Sequence, residues 1–234
     1  MNWLLLRGLV RERRHWGDFP ARLAERTGGE VLALDLPGVG TERGRRPPTS
    51  VAGIVADLRP RFAAARSPGP WSIFAPSLGG MVALAWAARH PEDFARVAVC
   101  NTSARDLAAP LRRFSLAAIA TVARGLLARD PEPHVLALVS NTPHGRACAA
   151  RFATFGRVGV GVLARQLLAG ARATTPASLT APLLVLCSDG DRLCDPRASR
   201  TLAARLGGAL AVHPTAGHDL PLDDPEWVIA RLTM

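Results

Sequence analysis

Three residues of the 234-residue chain carry side chains that can act together in acyl transfer: Ser77, Asp191 and His218. A serine hydroxyl is a poor nucleophile until an imidazole takes its proton and a carboxylate holds that imidazole in the right tautomer. Ser77 stands in WSIFAPSLGG, where a short apolar run stops and a helical pattern starts at once. A serine at such a junction exposes Oγ above a sheet edge and points the N–H of the next residue, Leu78, into the same space. The turn is sharp, so its flanking residues must be small. Gly79 and Ala75 meet that need, Ala75 standing where the usual G-x-S-x-G pattern has its first glycine. The competing role for Ser77 is a helix cap. Asp191 lies in CSDGDRLCDP and His218 in TAGHDLPLDDP, each just past an apolar run. Asp189 is a rival for the acid, whereas Asp195, directly before Pro196, fits a helix cap better.

Positioning these residues requires a frame. Apolar runs at 3–6, 30–36, 71–75, 96–101, 182–187 and 209–214 alternate with helical patterns, the layout of a mostly parallel sheet covered on both faces. Val51, Ile54, Val55, Leu58 and Phe62 repeat at helical spacing, and Pro60 is expected to kink or shorten that helix. A second helix is expected from about Leu78 to His90, ending before Pro91. Ser77, Asp191 and His218 then occupy loops at the C-terminal ends of three strands, which can converge on one crevice. Their order along the chain is one that such sheet enzymes use. The interval 104–175 breaks the rhythm and reads as helices only, with Leu111, Phe114, Ile119, Val122, Leu126 and Leu127 in one part and Phe152, Phe155, Val162, Leu163 and Leu167 in another. An inserted helical cap at 104–175, on a core of 1–103 and 176–234, is the economical account.

Composition narrows the class. The net charge is +10, yet all 29 basic residues are arginine, scattered and without an aromatic-interleaved patch, so solvated surface rather than nucleic-acid binding is the expectation. Cys100, Cys148, Cys187 and Cys194 show no metal-ligand spacing and no histidine pairing suited to zinc, so neither a metal nor another cofactor is expected. No disulfide framework is needed. No run is long enough for a membrane span, and the apolar start is too short for a signal-peptide core. From these features a soluble, cytoplasmic protein is the expectation.

Together the serine turn, the DLPGVG segment at 35–40, GDRLCDP and GHDLPLDDP resemble the α/β-hydrolase fold over nearly the whole chain, with greatest similarity to small carboxylesterases, including the pimeloyl-acyl-carrier-protein methyl esterase group. The resemblance implies a serine carboxylesterase acting on small to medium acyl esters through an acyl-enzyme. A lactonase, a thioesterase, an acyl-carrier-protein methyl ester hydrolase, a C–C hydrolase or a non-catalytic ligand-binding member of the fold are the alternatives. It also implies an oxyanion hole of two backbone N–H groups, from Leu78 and Leu9. Family members usually carry His-Gly before the second donor, and here Arg7-Gly8 stands in that place. The cap interval holds ten arginines against three acidic residues, either a solvated face or a docking surface for an acidic carrier protein.

Overall fold

The computed structural model describes residues 1–107, 121, 124 and 128–234. Its six strands are β1 (Asn2–Leu6), β2 (Val31–Leu34), β3 (Trp71–Pro76), β4 (Arg96–Cys100), β5 (Leu183–Ser188) and β6 (Ala209–His213). They form one sheet in the order β2-β1-β3-β4-β5-β6, every neighbouring pair parallel. The described helices are α1 (Phe19–Thr27), α2 (Val51–Ala65), α3 (Ser77–Arg89), α4 (Glu132–Val139), α5 (Pro143–Ala147), α6 (Ala149–Ala153), α7 (Val160–Arg172), α8 (Pro196–Leu206), α9 (Leu220–Asp223) and α10 (Pro225–Leu232).

The apolar runs are continuous because both sheet faces are covered, and the two-residue alternation of a strand sorts their side chains between two cores. Leu4, Leu6, Ile73, Ala75, Val97, Val99 and Val185 pack with α2 and α3 on one face. Trp3, Leu5, Phe74, Ala98, Cys100 and Leu186 pack with Phe19 and Leu23 of α1 and Val228 and Ile229 of α10 on the other. Ser50 caps α2 by accepting from the Gly53 N–H, and Asp195 and Asp224 cap α8 and α10 through the Arg197 and Trp227 N–H groups. Pro60 does not shorten α2, which runs five residues past it to Ala65. The burial of Leu58 and Phe62 on either side of the proline, against the sheet, outweighs the one hydrogen bond it removes.

Strand order sets the location of the crevice. The chain leaves β1 for β2 on one side and returns to β3 on the other, so the C-terminal ends of β1 and β3 lie side by side at the point where the winding reverses. Between β4 and β5 the described elements, α4 to α7, are all helical. Leu111, Phe114, Ile119, Val122, Leu126 and Leu127 lie outside the described residues. Phe152 and Phe155 do not share a helix with Val162, Leu163 and Leu167: Phe152 belongs to α6, Phe155 follows it, and α7 begins only at Val160.

Candidate active site

β3 ends at Pro76, and Ser77 opens α3 with φ +54°, a left-handed conformation costing a serine about 1–2 kcal/mol. The cap position falls on Pro76, one residue earlier, so Ser77 is not the helix cap. The turn fits because its surroundings are stripped down. A Cβ on Gly8 would lie 3.1 Å from the Ser77 Cβ, and one on Gly79 would lie 2.6 Å from the Arg7 carbonyl oxygen. Ala75, the departure from the usual glycine, sits fully buried in the core under α3, which absorbs its methyl group. Thr102, just past β4, braces the turn by donating its hydroxyl to the Ser77 carbonyl at 3.1 Å.

Asp191 lies in the turn after β5. Its Oδ1 accepts from the N–H groups of Leu193 and Cys194 at 2.8 and 2.9 Å, and its Oδ2 lies 2.7 Å from His218 Nδ1. Asp189, the rival, instead pairs with Arg200 on the exposed side of the loop. His218 is held from below by Asn101, whose side-chain amide donates to the His218 carbonyl at 2.8 Å and to the Gly217 carbonyl at 3.3 Å. Asn101 Oδ1 accepts from the Ser188 N–H, tying the histidine loop to the end of β5. Burial opposes charge on His218, but the Asp191 carboxylate, together with the neighbouring Cys194 sulfur, outweighs it and raises the imidazole pKa well above 6.5. His218 Nε2 is buried and has no hydrogen-bond partner, and both His218 and Ser77 line one cavity.

The loop after β1 brings Gly8 and Leu9 to the same cavity, and Leu78 faces it from the first turn of α3. An N–H in a helix's first turn has no carbonyl partner within the helix, which leaves that of Leu78 available. Val10 has φ +52°, and its N–H donates at 2.8 Å to Oε1 of Gln166, a fully buried side chain on α7 whose amide also donates to the Pro37 carbonyl. Gln166 thus fixes the loop from α7.

Arg7, where the resemblance implied a histidine, is not a solvated arginine. It is 3% exposed, forms a two-bond ion pair with the buried Asp219, and lies with its guanidinium 4.6 Å from the Trp16 ring centroid. The pair joins the Leu9 loop to the residue directly after His218. Arg11 is also buried, beside Glu132 of α4 at 2.7 Å and beside His15. Burial, with Arg11 and Arg7 nearby, lowers the His15 pKa to about 2, so this ring stays neutral. Replacing Arg7 with Met is expected to lower unfolding free energy by about 3–5 kcal/mol, because it strands the Asp219 carboxylate in the interior. The double variant Arg7→Met/Asp219→Leu should recover much of that loss in urea unfolding. A double variant no more stable than Arg7→Met would exclude the stranded charge as the cause.

The cavity measures about 710 Å³ and is walled mainly by apolar side chains, among them Met81, Val135, Leu138, Phe152, Leu163 and Leu167. Its floor and wall are joined through residues 139–142. The Val139 carbonyl accepts from the Asp219 N–H, and Asn141 donates through Nδ2 to the carbonyls of Gly190 and Thr215. Asp223 accepts from the Ser140 and Thr142 hydroxyls and from the N–H groups of Asn141 and Gly217.

Sequence spacing pointed to no cysteine–histidine pairing, yet the fold places Cys194 beside His218. Donor atoms of Asp191, Cys194 and His218 all lie within 4.8 Å of one another; among the described residues, His90, Glu92 and Asp93 form the other such group. Asn101, Gln166, Asp219 and Asp223 escaped the sequence reading, because each acts on residues far along the chain.

Over residues 4–225 the chain matches the family model described as serine aminopeptidase, S33. It is 30% identical over 226 residues to the monoacylglycerol lipase of Mycolicibacterium smegmatis, covering 86% of this chain and 79% of that one. Over a shorter stretch of 93 residues, 39% of this chain and 34% of the other, it is 41% identical to the pimeloyl-acyl-carrier-protein methyl ester esterase of Chromobacterium violaceum. The solved α/β-hydrolase-fold protein from Chitinophaga pinensis aligns with 100% of this chain and 88% of its own, at a TM-score of 0.76 and 17% identity. The six-stranded parallel sheet and its helices are an α/β-hydrolase fold.

Proposed function

Because the chain belongs to the hydrolase family described as serine aminopeptidase, S33, we propose that it cleaves carboxylic esters through a serine nucleophile and an acyl-enzyme. The observation carrying this reading is that Ser77, on its left-handed turn, and His218, paired through Nδ1 with Asp191, face one cavity. His218 Nε2 takes the Ser77 proton as Oγ attacks the ester carbonyl, while Asp191 keeps the other ring proton on Nδ1. The N–H groups of Leu9 and Leu78 receive the charge that develops on the carbonyl oxygen. The imidazolium then returns its proton to the departing alcohol. Water, deprotonated by the same Nε2, releases the acid and restores Ser77. The helices between β4 and β5 act as the cap, and their apolar cavity wall suits the acyl chain of a small or medium ester. The mechanism needs no cofactor, and four free cysteines agree with a cytoplasmic setting.

The direct test is a fluorophosphonate probe, which labels only an activated serine. Peptide mapping should place the label on Ser77, and an unlabelled protein would favour a ligand-binding member of the fold. The match to a methyl esterase of a carrier-linked acyl group supports a second reading, in which the arginine-rich cap docks an acidic carrier. Exposed charges attract weakly once salt shortens the screening length to about 8 Å or less. A small neutral ester should then keep its kcat/KM across a salt series, and only a carrier-linked ester should lose it. Chelation with EDTA is expected to leave hydrolysis of the small ester undiminished, since no step uses a Lewis acid; loss restored by added metal would contradict the mechanism.

The His218–Asp191 pair makes pH a further check. The general base must be neutral, so kcat/KM should rise with pH, with its midpoint above 6.5 because Asp191 holds the proton on the ring. Stability should run the other way. The folded pKa is raised, so the pair's contribution is full below about pH 6.5 and is lost as pH rises through the folded value. An activity midpoint at or below 6.5 would show that His218 is not the titrating base.

A further inference from the structure

Cys194 has no part in the proposed reaction, yet it stands at its centre. The residue is 8% exposed and lines the cavity with His218, and the Asp191 side chain is 1% exposed. One turn fixes two of the three groups, since the Cys194 N–H itself donates to Asp191 Oδ1. That leaves Oδ2, which lies 2.7 Å from His218 Nδ1, as the oxygen that can turn to an ion shared with the ring.

We infer that Asp191, Cys194 and His218 form an inhibitory site for a thiophilic divalent cation, zinc foremost. Thiolate, imidazole and carboxylate are the donors zinc takes, and a thiolate disfavours magnesium and calcium. Zinc bonds of about 2.0–2.3 Å in a tetrahedron put the donor atoms roughly 3.3–3.6 Å apart, so the 2.7 Å His218–Asp191 pair opens slightly, while no pair, all being within 4.8 Å, closes by much more than about an ångström. The fourth position faces the cavity and takes a water. Zinc on Nδ1 drives the single proton of the neutral ring to Nε2, and zinc on the thiolate sends the thiol proton to solvent, so binding releases a proton and weakens at low pH. With its proton on Nε2, the ring cannot accept from Ser77. Occupancy would switch the base off without touching the nucleophile.

Inhibition rests on the serine-hydrolase reading, whereas metal binding does not, and the experiment separates them. Initial rates on a short p-nitrophenyl ester are measured across buffered free zinc, each protein normalised to its own zinc-free rate. Cobalt binding is read by the thiolate-to-metal absorption band, and Cys194 alkylation by iodoacetamide is followed with and without zinc. Wild type should lose activity in zinc and regain it with EDTA. Cys194→Val should need about tenfold more zinc or beyond, while keeping any binding at His90, Glu92 and Asp93. The cobalt band should appear in wild type and in Ser77→Ala but not in Cys194→Val, and zinc should protect Cys194 of wild type from alkylation. Equal zinc sensitivity in wild type and Cys194→Val, or a wild type with neither band nor protection, would overturn the site. An active Ser77→Ala that still shows the band would overturn the serine mechanism instead.

Discussion

Ser77→Ala is expected to lower turnover of a short p-nitrophenyl ester by about a million-fold while leaving the circular dichroism spectrum unchanged. The hydroxyl contributes nothing to helix capping, and the turn's shape is imposed by the close approach of Gly8, Gly79 and Thr102. Ser77→Gly should be equally inactive, yet more stable than Ser77→Ala by about 1 kcal/mol, because glycine adopts φ +54° without the clash that any Cβ brings. A Ser77→Ala protein that still turned over ester at a substantial rate would end the serine mechanism. An alanine variant as stable as the glycine one would show that the turn is not strained.

Asp191→Asn should cost about four orders of magnitude in turnover, since an amide in that place favours the wrong histidine tautomer. Asp189→Asn should stay close to wild type. Its carboxylate is about half exposed and pairs with Arg200, so its loss removes little. The two variants are best compared by kcat in parallel with thermal melting. The reverse ranking would shift the acid by two residues and leave serine and histidine in their roles.

The sheet was legible because burial on both faces leaves an unbroken apolar run at each of the four inner strands, and all six runs, the two half-buried edges included, coincide with strands to within a few residues. Ser77 was legible because a sharp turn restricts residue size locally, a demand that shows within ten residues. The supports of the site leave no such local mark. Arg7 meets Asp219 across 212 positions and Asn101 meets His218 across 117, so neither pairing has a period or spacing to betray it. Arg7 looked like a missing histidine when it is a substitute brace. Gln166 sits on α7 within a readable apolar pattern, but the inward turn of one polar residue follows only from the Val10 N–H and Pro37 carbonyl waiting for it. Cys194 and His218 belong to different strand ends and become neighbours only when β5 and β6 pair.

The knot of bonds at residues 139–142 bears on how this protein can be recombined. Three short segments, the end of α4, the turn holding Asp191 and the loop holding His218, are cross-linked by Asn141, Asp223 and the Val139 carbonyl. A graft that exchanged every residue between β4 and β5 would import foreign partners for the segments holding Asp191 and His218 and would misplace both side chains. The natural splice point lies after Thr142. Helices α5 to α7 can be swapped for those of another hydrolase to change substrate preference, provided Gln166 is carried over, while α4 travels with the sheet. Chimeras cut on either side of that point should differ in kcat far more than in KM.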